Sequence, residues 1–234
     1  MWVLLDHDDA AIVPSPSYPI HIYGPLFAGA DLRQVPMKFL ADPDQREHFA
    51  DDFMDSLQTA WDVGWPKPRV LVISFPHNPT GATVDLPFMQ RVVDFCREHE
   101  MIVVHDFAYA DVGFDGHQPP SILQADGAKE CAVELYSMTK SFSMAGWRSA
   151  FLLGNAEVVQ ALVKLKSYLD YGMFQPVQIA STVTINERPD FPDEIRATYE
   201  SRCDALIDGL GRIGWDIPKP GGSMFVWAPI PEPY

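Results

Sequence analysis

The chain has 234 residues, 47% of them apolar, with 17 basic against 32 acidic side chains and a formal charge of −15. That length and composition suit one large globular domain, or one domain and part of another. The acidity argues against non-specific binding to nucleic acid or to an anionic membrane, since both require a basic face.

The opening MWVLLDHDD offers an apolar run of only five residues before acid begins. It has neither the basic flank nor the length of a signal peptide, and no later run approaches a membrane span, so a cytoplasmic protein is expected. AAIVP, ADLRQVPM, VLVISF at 70–75, MIVVHDF at 101–107, CAVELYSM at 131–138 and SAFLLGN at 149–155 follow as short β-branched runs. Between them Phe49, Phe53, Leu57 and Trp61 recur at helical spacing, then Leu86, Met89, Val92, Val93 and Cys96, then Val158, Leu162, Leu165 and Leu169. Strands alternating with amphipathic helices predict an α/β fold, with a mostly parallel sheet and crossover helices.

A longer helical pattern runs from Ile195 through Tyr199, Cys203, Leu206 and Leu210 to Ile213, after the proline-broken loop NERPDFPDE. A boundary between substructures is therefore expected near 170–190. The terminal GGSMFVWAPIPEPY alternates Met224, Val226 and Ala228 with Phe225 and Trp227, as a strand beginning a new sheet does. The acid-rich stretches Asp42–Asp62 and Glu187–Glu200 read as solvated helix faces. Cys96, Cys131 and Cys203 are odd in number and sit in apolar periodic segments, as core-filling thiols of a reducing compartment do.

Polar groups gather at the carboxyl ends of four of these strands: PSPSYP, SFPHNPTG, HDFAYAD and SMTK. Ligands of open α/β sheets bind there. Lys140, at the end of an apolar run, admits three readings. Ser137 and Lys140 form S-x-x-K, the spacing of the serine β-lactamases, but the companion S-D-N and K-T-G motifs are absent. A second reading pairs Lys140 with a buried carboxylate such as Asp106. The third is a Schiff-base lysine, which needs a low-dielectric pocket and a carbonyl cofactor.

In order and spacing, PSPSYPIHIYG, FPHNPTG, VVHDFAYADVGFDG and ELYSMTKSFSMAGWRSAFLLGN resemble the class I/II, fold-type I pyridoxal-phosphate aminotransferases. The resemblance extends through KSYLDYGMFQPVQIA to WAPIPEPY, and is strongest toward bacterial glutamate–pyruvate (alanine) aminotransferases, with LL-diaminopimelate aminotransferases close behind. It implies pyridoxal 5′-phosphate as cofactor, an amino acid and a 2-oxo acid as substrates, and a homodimer. Aspartate or aromatic aminotransferase and a β-lyase are the alternatives within the family.

The resemblance also implies roles. Lys140 would form the Schiff base and act as general base and acid. Asp106 would pair with the pyridine nitrogen, and Tyr109 and Asn78 with the phenolic oxygen. Arg148 and Ser137 would hold the phosphate, and Tyr18 would stack on the ring. Thr139 and Ser143 read as ordinary loop residues. His105, preceding Asp106 on a strand, should face the other way. His77 reads as loop variation, and His21, Tyr23 and Asp111 as structural. Pro16 and Pro79 are candidates for cis bonds.

Family chains are longer. Upstream they carry a Gly/Ser phosphate loop opening a helix, and downstream most of a small domain with an arginine for the substrate carboxylate. An internal fragment is thus expected: 1–175 as the large cofactor-binding domain, and 176–234 as a linking helix with the beginning of a small α+β domain. Either it is a transaminase, or it is an inactive truncated remnant that at most binds the cofactor.

Overall fold

The computed structural model describes residues 1–37 and 48–230. Six strands make one sheet: β1 (Ala10–Ser15), β2 (Asp31–Pro36), β3 (Pro68–Ile73), β4 (Ile102–Asp106), β5 (Ala132–Ser137) and β6 (Ala150–Gly154). They lie in the order β2-β1-β3-β4-β5-β6. The first five run parallel. β6 is antiparallel to β5, with Ser137 opposite Ala150 and Val133 opposite Gly154. The chain from Met138 to Ser149 forms only a four-residue helix, α5 (Met138–Ser141), and a 3₁₀ turn at Ala145–Trp147, so it folds back in place of crossing over.

The other helices are α1 (Pro19–Phe27), α2 (Phe49–Asp62), α3 (Leu86–Glu98), α4 (Ala128–Cys131), α6 (Ala156–Leu169), α7 (Gln175–Glu187) and α8 (Phe191–Gly211). Their starts follow capping chemistry. Asp85 accepts from the Phe88 N–H ahead of α3, and Asn155 from the Val158 N–H ahead of α6. In α3 Met89, Val92, Val93 and Cys96 form the buried stripe their spacing predicts, joined by Phe88 and Phe95, while Leu86 at the first helical position is exposed.

Strand alternation gives the sheet two apolar faces. Ile12, Leu71, Ile73 and Val103 pack against α2 and α3, where Phe49, Phe53, Phe75 and Phe88 interlock. Ala11, Val13, Val70, Val72, Val104 and Val133 form the other face with Val158 of α6. Beside them opens a cavity of about 500 Å³, lined by residues including Trp2, Ile20, Phe27, Leu162 and Asp106.

The strand expected near 224–228 does not form. Among the described residues no neighbouring strand offers it a ladder, and the segment is held through an isolated bridge between Gly113 and Gly222 instead. Phe114 N–H donates to Gly221 O at 2.9 Å and Ser223 N–H to Val112 O at 2.7 Å. Residues 42–47 of the first acidic stretch, and the last residues of the terminal segment, lie outside the described residues. In the second stretch, exposed pairs link Arg188 to Asp190 and Glu194, and Lys219 ties Asp115 to Glu200 and Asp204. All three cysteines are buried free thiols. The Ser15–Pro16 and Asn78–Pro79 bonds are both cis, as are Trp65–Pro66 and Phe75–Pro76. Among the described residues no helix is long and apolar enough to cross a membrane.

Candidate active site

Because β1, β3, β4 and β5 are parallel neighbours, the turns that leave them open on one end of the sheet. Asp106 is the last residue of β4, its side chain 26% exposed. Its Oδ2 is 2.8 Å from His21 Nε2, and His21 Nδ1 is 3.1 Å from Ser17 Oγ. A carboxylate only accepts, so His21 Nε2 carries a proton; in the neutral ring Nδ1 then accepts from the Ser17 hydroxyl. α1 makes this arrangement. It starts with Pro19, whose fixed φ and missing N–H suit a first helical position, and it carries His21 inward, one turn after Ser17. Tyr18, the residue before the helix, is 43% exposed and meets His21 edge-on at 5.6 Å.

Tyr109 is buried three residues beyond Asp106, with the Asn78 side chain beside its phenol. Burial raises the phenol above its ordinary value, with Asp106 and Tyr18 adding to the effect and Asn78 opposing it. Tyr109 therefore keeps its proton and serves as a donor. The Asn78 turn is fixed from beneath. His77 N–H donates to Ala82 O and Gly81 N–H to His77 O, both at 2.8 Å, while His77 Nδ1 lies 2.8 Å from Thr80 Oγ1. His77 is fully buried, so its reading as loop variation gives way to that of an anchor. Burial, and then the neighbouring His21, push its pKa down to about 3, which leaves it neutral.

Lys140 is the third residue of α5, with Nζ 5.9 Å from the centre of the Tyr109 ring. Among the described residues it makes no ion pair, and the partner of Asp106 is His21, so the salt-bridge reading of Lys140 with Asp106 does not hold. Ser137 Oγ accepts from the Thr139 N–H at 3.2 Å and caps α5, with no bond to Lys140. Arg148 follows the 3₁₀ turn in a left-handed backbone conformation. Its exposed guanidinium bonds the Ala145 carbonyl at 3.1 Å.

Tyr18 meets Asp106 through His21, Asn78 and Lys140 stand beside Tyr109, and the two groups are coupled by the charge of Asp106 acting on the Tyr109 phenol, whereas Ser137 and Arg148 make their contacts locally. Two neighbours of the site residues are not marked as such by the sequence, where His21 reads as structural and Phe225 as part of a terminal strand. His21 has a signal only in its four-residue spacing from Ser17. Phe225, which meets Tyr109 edge-on at 5.7 Å, has none. Chemically, the site presents a fixed acceptor carboxylate, paired phenol and amide donors, and a primary amine without a carboxylate partner among the described residues.

A model of the family described as aminotransferase class I and II matches residues 1–233. The chain is 43% identical over 234 residues to the glutamate–pyruvate aminotransferase AlaC of Escherichia coli (strain K12), covering 100% of this chain and 54% of that protein. It is 36% identical over 233 residues to an LL-diaminopimelate aminotransferase of Dehalococcoides mccartyi (strain BAV1), covering 58% of it. Among solved structures, substrate-bound BacF of Bacillus subtilis aligns with all of this chain and 57% of its own at a TM-score of 0.89 and 33% identity. The chain spans about half the length of the curated relatives it matches.

Proposed function

The chain belongs to the class I and II aminotransferases, and we propose that it transfers an amino group between an amino acid and a 2-oxo acid with pyridoxal 5′-phosphate as cofactor. The observation that carries this reading is the meeting of Asp106, Tyr109, Asn78 and Lys140 at one end of the sheet.

The side chains present fit that cofactor. Asp106 has one oxygen bound by His21 and the other without a hydrogen bond among the described residues, which suits a protonated ring nitrogen. Tyr109 and Asn78 stand together as donors for a phenolic oxygen. The Lys140 amine has no anionic partner among the described residues and is available to a carbonyl. When bound, pyridoxal 5′-phosphate supplies an electron-accepting ring for the substrate's Cα electrons. Asp106, itself oriented by His21, would hold the proton on the ring nitrogen. Lys140 would take the proton from the substrate Cα and return it on the far side of the exchange. Tyr18 would lie on the ring face, and the Ser137 hydroxyl and Arg148 guanidinium would bind the phosphate.

Likeness to AlaC supports alanine or glutamate as donor and pyruvate or 2-oxoglutarate as acceptor, and likeness to LL-diaminopimelate aminotransferases supports the alternative substrate. In this reading 1–175 is the large cofactor-binding domain and 176–234 a linking helix and the beginning of a small one, within a cytoplasmic homodimer.

The test is the visible absorption spectrum with added pyridoxal 5′-phosphate, before and after L-alanine. A band that forms with the natural chain, is lost in Lys140→Ala and shifts with L-alanine is expected. No band, or one that Lys140→Ala leaves unchanged, sinks the proposal. A band that responds to LL-diaminopimelate and not to alanine selects the alternative substrate.

A further inference from the structure

A second polar cluster is buried behind the site, on the face of the sheet that Asp106 does not use. His105 is fully buried and Glu134 nearly so. They stand directly opposite each other in the β4–β5 register, with His105 Nδ1 3.0 Å from Glu134 Oε2. The same carboxylate accepts from the Ser121 hydroxyl, 2.9 Å from both oxygens, and from the Ile122 N–H at 2.9 Å. On the far side of the ring, His105 Nε2 lies 3.3 Å from Phe75 O and 3.4 Å from Phe75 N. Phe107 stacks on the imidazole at 4.7 Å.

One network therefore ties together the ends of β3, β4 and β5 and the loop that returns from Tyr109. Each tie sits just below a site residue. Phe75 precedes the Asn78 turn, His105 adjoins Asp106, and Glu134 lies on the strand that ends at Ser137 and leads into the short helix bearing Lys140. Apolar packing alone does not call for a carboxylate here. The Phe49, Phe53, Phe75 and Phe88 rings fill the same face, and an apolar pair of like volume avoids the desolvation cost of buried polar groups. Directional hydrogen bonds do what apolar packing does not: they fix how far apart, and at what level, three strand ends stand.

We infer that His105 and Glu134 are positioning residues, which set the spacing of the turns bearing Asn78, Asp106 and Lys140 without touching any bound molecule. The inference rests on the assignment of those three residues to one site, and the experiment has separate arms so that the two readings fail separately.

The test is the double variant His105→Leu/Glu134→Leu in the full chain, with amide hydrogen exchange and the midpoint of urea unfolding as the first arm. Because the Ser121 hydroxyl and the Ile122 N–H lose their acceptor, the unfolding midpoint should fall modestly, while exchange in 77–82, 107–112 and 138–144 quickens by about tenfold beyond the rise shared by the rest of the sheet, as expected where loops lose their fixed geometry. A folded double variant with unchanged protection in those turns overturns the inference. Should it not fold, Ser121→Ala decides by the same measurement, because it withdraws a single hydroxyl from Glu134. About threefold faster exchange in the three turns is then expected, and unchanged protection overturns the inference. In the second arm, affinity for pyridoxal 5′-phosphate should fall about tenfold in the double variant. Absence of binding by the natural chain would sink the proposed function alone, since the exchange arm stands without cofactor.

Discussion

The two faces of the sheet meet the same requirement in different ways. Beneath α2 and α3, phenylalanine rings interlock at centroid spacings between 5.5 and 6.5 Å, and every ring in the group is buried. On the other face the strands present valines, α6 buries Val158, and Leu162 and Leu165 of that helix border a cavity. The candidate site draws on both. The Asn78 turn and the His105–Glu134 pair belong with the packed face, and Asp106 with the open one. The lesson lies in how each group is held. On the packed side neighbouring side chains fix it from all directions, whereas Asp106 depends on one directional bond from His21.

The sharpest way to break this contrast is to remove a ring. Phe53→Ala should cost about 3–5 kcal/mol, read from urea unfolding, because the surrounding rings cannot close over the void. Leu162→Ala on the open side should cost under about 1 kcal/mol, and equal losses at the two positions would erase the distinction. Next in size is Gly81→Ala. Gly81 has φ +69°, and an added Cβ would lie 2.5 Å from Pro220 Cβ and 3.1 Å from Gly222 O. A loss of about 1–3 kcal/mol is expected, together with loosening of the terminal segment in hydrogen exchange.

Acid acts on the buried His77. In the unfolded chain His77 takes up a proton as pH falls below about 6.5, while in the folded chain burial withholds it until about 3. The unfolded state binds more protons across that window, so stability falls as pH drops through it, by at most about 1.4 kcal/mol per pH unit from this residue. His77→Asn should flatten the slope of stability against pH relative to the natural chain, whatever its effect at neutral pH. An unchanged slope would mean that His77 is not sealed from solvent. The smallest expected effect is at the exposed Lys219 cluster. Lys219→Ala should change stability by about 1 kcal/mol or less and should lose even that effect in high salt.

The sheet was legible because its signal is local. β-branched runs such as VLVISF and MIVVHDF mark β3 and β4, and the spacing of Leu86 to Cys96 marks α3. α1 was not, since PIHIYGPLF carries two prolines and a glycine and lacks a clean amphipathic stripe. The terminal alternation from Met224 to Trp227 misled because alternation states which side chains share a face, while a strand also needs a neighbouring backbone. In the site, NPTG, D-x-x-Y and S-x-x-K draw attention by residue type and spacing. The partners that orient them do not. His21 reaches Asp106 across 85 positions, Phe225 meets Tyr109 from a segment far downstream, and Glu134 reads as an isolated acid in an apolar run.

That downstream segment has a consequence for the order of assembly. A chain leaves the ribosome N-terminus first, so β1 to β5, with Asp106 and Lys140, emerge well before Pro220, Gly222 and Phe225. Yet those late residues close over Gly81 and brace Tyr109. A nascent chain halted short of Pro220 would hold the amine and the carboxylate with the phenol and the Asn78 turn still uncovered, so that the covering of those two groups waits on residues made more than seventy positions after Lys140.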